Sequence, residues 1–147
     1  MKRRKIIFFT LSFLVTIFIF ENSLEVASAS DKKSMFFVEF LINNFSFIFK
    51  NEVITNSIIR KVAHFLEFFM QGCFLSAAIF SFNYHKNAIY TLFLGLLTAC
   101  IDEFIQLFVE GRAGLVSDIF IDFSGTVLSV IIFIIFWFIF EKRREKA

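Results

Sequence analysis

The 147-residue sequence contains no proline and only two cysteines and five glycines. Without proline, the bends between its apolar runs fall to glycine and polar loop residues. Cys73 and Cys100 both lie inside apolar stretches, where a free cysteine behaves as a small buried hydrophobe; a disulfide or metal pair is the alternative. Charge is scarce as well. Fifteen Lys and Arg oppose 13 Asp and Glu, a net charge of +2, and the basic residues gather near the ends. No nucleic-acid surface is expected from that pattern. There is no internal repeat, no glycine-rich phosphate loop and no embedded-protease signature.

What the chain has is apolar surface. Hydrophobic residues make up 58% and aromatics 20%, with a mean hydropathy of +0.76. A soluble domain stays near ~45–50% apolar, so this is a membrane protein. The 26 Phe fit a biased genome as readily as a packing need and carry no functional reading.

Four runs are candidates to span a bilayer, which takes about 20 apolar residues in a helix. They cover residues 6–20, 63–82, 88–108 and 119–140. The first is short and follows Lys2, Arg3, Arg4 and Lys5, with Val26-Ala27-Ser28-Ala29 downstream. Those features also describe a secretory signal peptide cleaved after Ala29. A retained helix is the preferred reading, because Phe20-Glu21-Asn22-Ser23 ends the run abruptly. Residues 21–34 read as polar and irregular. Residues 35–50 read as a helix lying in the outer interface, with Glu39, Asn43, Ser46 and Lys50 forming one polar stripe; a surface helix packed on the bundle is the alternative. Asn56 or Ser57 is the expected cap of the next helix. With four crossings, Lys2 to Lys5, His85, Lys86 and Lys142 to Lys146 fall on one side. The positive-inside rule makes that side cytoplasmic, with both termini there.

Ionisable residues inside such runs cost about 2.5–3.5 kcal/mol each and mark partners or function. Arg60, His64, Glu67 and Gln71 recur at i, i+4, i+7 and i+11, one helical face. Asp102, Glu103 and Gln106 cluster at the end of the third run. Asp118 and Asp122 open the fourth, where Asp118 is also a natural helix cap and Gly125 and Ser129 continue the stripe. Gly95, Gly125 and their small neighbours allow close helix approach. All three sets fall at one membrane face, and they are expected to converge near its outer surface. Ser117 and Ser124 near His64 do not make a convincing nucleophile set. The inner halves of the runs are nearly all apolar, which argues against a proton-coupled transport path.

In such a pocket His64 and Glu67 would exchange protons. Arg112, with Arg60 nearby, would hold a phosphate or carboxylate. Asp102, Glu103 and Gln106 would orient the group acted on, and Asp118 and Asp122 would complete the binding surface. Arg60, Lys61 and Arg112, on the outer side against the charge trend, would be held there by the acidic cluster. No metal or other cofactor is expected. Only His64 reaches the cluster, and zinc held by one His and several carboxylates is uncommon, which leaves carboxylate-bound Mg²⁺ or Ca²⁺ as the open alternative.

These residues resemble a known family. Arg60-Lys61-Val62-Ala63-His64-Phe65-Leu66-Glu67-Phe68 is similar to the R-K-x-x-H-F-x-E-Y element of VanZ-like proteins. Asp102-Glu103-Phe104-Ile105-Gln106-Leu107-Phe108 is similar to their D-E-x-x-Q-x-F, and Gly111-Arg112 with Ser117-Asp118 to G-R-x-x-x-x-x-D. Gly125 and Phe20-Glu21-Asn22-Ser23 also sit where that family has a glycine and the end of its first helix. The chain departs from the pattern at Glu110 (usually Pro), Phe68 (usually Tyr) and Asp122 (usually Asn). The last adds a carboxylate at depth. The resemblance implies an all-α, polytopic helix bundle of the bacterial cytoplasmic membrane, a single domain with four transmembrane helices and an outer interfacial helix. It further implies lowered sensitivity to teicoplanin-type glycopeptide antibiotics. The expected partners are membrane lipids and a phosphate-bearing lipid or cell-wall precursor. A non-catalytic scaffold or lipid-binding protein with a structural polar cluster is the alternative function.

Overall fold

The computed structural model describes residues 2–49, 55–79 and 84–144. They form five helices: α1 (Lys2–Ser23), α2 (Ala27–Phe49), α3 (Asn56–Ile79), α4 (Tyr84–Gln106) and α5 (Val116–Arg144). No strand occurs among the described residues. Helices α1, α3, α4 and α5 are long and apolar enough to cross a membrane, as their continuous Phe, Ile and Leu content requires. The fifth, α2, packs on α3, with Phe36 and Phe37 exposed.

Two boundaries differ from the sequence expectation. Helix α1 continues to Ser23, and α2 begins at Ala27, so most of residues 21–34 is helical. The Ser- and Lys-rich start of α2 lacks an apolar period; its Asp31 pairs with Arg60 of α3. Of the expected α2 stripe, Lys50 lies outside the described residues, as do residues 51–54 and 81–83 of the expected connections. Helix α3 is capped by Thr55, whose Oγ1 accepts the Ile58 N–H at 3.3 Å, not by Asn56 or Ser57.

Helix α3 is the hub and touches the other four helices. The interior is inverted relative to a soluble protein. Among the described residues, six buried side chains are apolar (Phe68 and Ile19 are the largest), whereas thirteen are polar or charged. Large apolar residues such as Phe93, Phe104, Phe120 and Ile135 face outward. In lipid, apolar contact does not drive helices together, so small residues and hydrogen bonds do that work. Gly125 brings α5 onto the α3 backbone, where an added Cβ would meet the Phe65 carbonyl oxygen and lie 2.9 Å from the Phe69 nitrogen. Gly95 of α4 faces Thr126 in the same way, with Cγ2 only 2.5 Å from such a Cβ.

This packing brings four helix ends together. α1 and α4 finish where α3 and α5 begin. The α4–α5 loop turns at Gly111, whose φ of 75° suits a residue without a Cβ. Two contacts fasten that loop to the α1–α2 junction. The Ala27 N–H donates to the Glu110 carbonyl at 3.2 Å. Arg112 donates from Nε to the Glu25 carbonyl at 2.8 Å and from Nη2 to the Asn22 carbonyl at 2.9 Å. A cation on the Asn22 carbonyl, in the last turn of α1, also complements its helix dipole.

Candidate functional site

The polar side chains form two tiers at this end of the bundle. The upper tier is cationic and paired. Arg60 Nη1 lies 3.1 Å from Asp31 Oδ1 of α2, and Lys61 Nζ lies 3.0 Å from Asp118 Oδ1. Arg60 is therefore held by Asp31, not by the buried acidic cluster. Asp118 is not the cap of α5. Its own N–H donates to the Leu115 carbonyl at 2.9 Å, so Leu115 takes the capping position. Asp118 stands one turn in, where a carboxylate favours the helix N-terminus. Burial lowers the pKa of Arg112 more than any other influence, and the neighbouring Arg60 adds to the effect.

The lower tier is acidic and buried. Asp102 is 0% and Asp122 2% exposed, and Glu103 and Gln106 are also buried. α1 supplies two donors to it. Asn22 Nδ2 donates to Glu67 Oε1 at 2.8 Å, and Ser23 Oγ donates to Asp102 Oδ1. Gln106 Nε2 donates to Asp102 Oδ2 at 2.9 Å and to Glu103 Oε1 at 3.3 Å. Glu103 Oε2 accepts the Leu115 N–H at 2.7 Å, so this carboxylate caps the start of α5 from a neighbouring helix. It faces the bundle, not the lipid.

His64 Nδ1 stands 3.8 Å from both Glu67 Oε2 and Asp102 Oδ2. That is too long for a direct hydrogen bond and close enough for a proton to pass after a small ring rotation. Three atoms here have no hydrogen-bond partner: His64 Nδ1, Glu67 Oε2 and Asp122 Oδ2. His64, Asp102 and Asp122 each bring one possible ligand atom within 4.8 Å of the others. Below them, Gln71 Nε2 donates to Thr16 Oγ1 at 2.7 Å and Thr98 Oγ1 at 3.2 Å. Thr126 and Ser129 continue deeper as buried hydroxyls. These groups are neutral; Gln71 ties α3 to α1 and α4, while Ser129 donates to the Thr126 carbonyl within α5. Ser117 and Ser124 are engaged locally, with the Asp118 carboxylate and the Ile121 carbonyl.

Two cavities meet at this cluster. The first, about 250 Å³, has Arg60, Lys61 and Arg112 at its rim and His64, Glu103 and Asp122 deeper in its wall. The second, about 370 Å³, runs between α1, α2 and α3 along Phe18, Phe37, Ile59 and Ala63. Arg60, His64 and Arg112 line both.

All nine residues singled out by sequence reasoning thus come to one end of the bundle. Asn22, Ser23 and Asp31 also belong to the site, and no motif marks them. The first two stand at the abrupt end of the first apolar run, which was the available signal; Asp31 carries none, since its neighbours are all polar. No curated protein and no solved structure matches the chain. The model of the VanZ/LLP1 family matches residues 6–138, nearly the whole chain; with the family's R-K-x-x-H and D-E-x-x-Q elements supplying both tiers, the chain belongs to that family.

Proposed function

We propose that this protein resides in the bacterial cytoplasmic membrane with both termini in the cytoplasm. Its polar end faces outward, where it binds or modifies a phosphate-bearing lipid or cell-wall precursor and so lowers sensitivity to teicoplanin-type glycopeptides. The observation that carries this reading is the pair of adjoining cavities, one polar and rimmed by cations, one apolar, sharing Arg60, His64 and Arg112. An amphiphile has the same division. Its phosphate suits the remaining guanidinium donors of Arg60 and Arg112, and its chain suits the wall of Phe18, Phe37 and Ile59. In a catalytic version His64 and Glu67 exchange the proton, while Asp102 and Gln106 orient the reacting group.

The test compares lipids and wall precursors of cells lacking the protein, expressing it, and expressing His64→Ala. The expected result is a changed precursor or lipid species together with a raised teicoplanin inhibitory concentration, both abolished by His64→Ala at equal membrane levels. A graded loss indicates binding without chemistry. An unchanged profile with a changed drug response excludes modification.

One observation favours a second reading, a non-catalytic scaffold. Asn22 and Ser23 spend the Glu67 and Asp102 carboxylates on ties between α1, α3 and α4. In that case His64→Ala leaves the drug response intact, and Asn22→Ala lowers the amount of folded protein.

A further inference from the structure

The buried tier carries more acid than the described cations neutralise. Among the described residues, every ion pair of a lysine or arginine goes to Glu25, Asp31 or Asp118. None goes to Glu67, Asp102, Glu103 or Asp122. Arg112, the nearest candidate by sequence, directs two donors to backbone carbonyls instead. Buried carboxylates without a counter-charge are strongly destabilising unless neutralised or metal-bound. Asp122 is the sharpest case. It is 2% exposed, its Oδ2 has no hydrogen-bond partner, and it stands with His64 and Asp102 in the one group of possible ligand atoms lying within 4.8 Å of one another among the described residues.

We propose that His64, Asp102 and Asp122 form a binding site for one divalent cation of the Mn²⁺ or Zn²⁺ type, in the wall of the cation-rimmed cavity. An imidazole nitrogen with two carboxylate oxygens suits Zn²⁺, which takes imidazole readily, and Mn²⁺, a harder ion at home among carboxylates that lies on the same transition-metal affinity series, better than Ca²⁺ or Mg²⁺, which prefer all-oxygen shells. Neighbouring donors on a cation bound at ~2.0–2.2 Å stand about 3 Å apart. The 3.8 Å between His64 Nδ1 and Asp102 Oδ2 therefore closes with a small side-chain rotation. The support around the ligands is built in: Ser23 and Gln106 both donate to Asp102, the arrangement that orients a metal-binding carboxylate. His64 and Asp122 line the cavity, so the remaining coordination positions open toward it and suit water or phosphate oxygens. The inference does not depend on what the cavity holds, but it replaces proton exchange between His64 and Glu67, because a metal on Nδ1, the nitrogen 3.8 Å from both Glu67 and Asp102, leaves no proton there to pass.

The test uses the full chain purified in detergent, treated with chelator and dialysed against Mn²⁺ or Zn²⁺ alone. Elemental analysis is expected to give one ion per chain with saturable binding. Asp122→Asn and His64→Gln are each expected to weaken it by at least about tenfold, while Glu25→Gln, in the ion pair with Lys33, leaves it unchanged. The Mn²⁺-loaded wild-type chain is expected to show nitrogen hyperfine coupling from one imidazole, a readout that needs no variant to fold. Absence of saturable binding, absence of that coupling, or binding indifferent to both substitutions overturns the proposal. The buried acids are then kept neutral by protons alone.

Discussion

At the scale of single residues, Arg112 shows how position changes a side chain's work. Its guanidinium sits in a glycine-containing loop, fully placed to meet an anion, and two of its five donors are already used on the Asn22 carbonyl at the end of α1 and the Glu25 carbonyl just beyond it. Losing two charge-assisted hydrogen bonds costs about 1.5–3 kcal/mol each at most. Arg112→Ala is therefore expected to lower the melting temperature of the detergent-purified protein. Arg112→Lys recovers only part of the loss, because an ammonium does not offer the planar fork that reaches both carbonyls. Equal melting of all three proteins would mean that the clamp contributes nothing. No sequence pattern marks backbone carbonyls as partners, which is why this role was invisible beforehand. Asp102 and Asp122 were legible for the opposite reason: a carboxylate inside an apolar run has no ordinary explanation.

At the scale of helices, the stripe of small residues decides how closely the bundle closes. Gly125 packs against α3 backbone atoms, which cannot rotate away. Gly72 of α3 meets the Ser129 side chain, with the Thr126 Cα at 3.3 Å, and a hydroxymethyl group has more freedom to yield. Gly125→Ala is expected to destabilise by about 1–3 kcal/mol, as overpacking does, and more than Gly72→Ala. Thermal melting of the two variants side by side checks the order; the reverse order would place the critical approach elsewhere. Three of the spanning helices were readable from apolar length and polar spacing to within a few residues. The start of α2 at Ala27 and the last turn of α1 were not. Both lie in polar stretches where local composition looks like a loop; in the structure Arg60–Asp31 joins the start of α2 to α3, and Asn22 and Ser23 join the end of α1 to α3 and α4.

At the scale of the whole molecule, the polar interior and apolar exterior follow from lipid as the solvent, and the proposed outward direction of the site rests on the basic ends. With Cys73 and Cys100 replaced by Ser, Ala113→Cys is expected to react with a membrane-impermeant maleimide added to intact cells. Lys142→Cys is expected to react only after permeabilisation. Reversed labelling would turn the cavities toward the cytoplasm and remove the envelope reading.

The fastening of the α4–α5 loop to the α1–α2 junction has a biosynthetic consequence. Asn22 and Arg112 are 90 positions apart, and Asp122 lies in α5, made after the other four described helices. Until the α4–α5 loop is made, the Asn22 and Glu25 carbonyls lack Arg112, and until α5 inserts the acidic tier lacks one wall. Ribosome-bound chains that stop short of residue 116 thus hold spanning segments without a finished cavity, and the site comes into being only once α5 has been made.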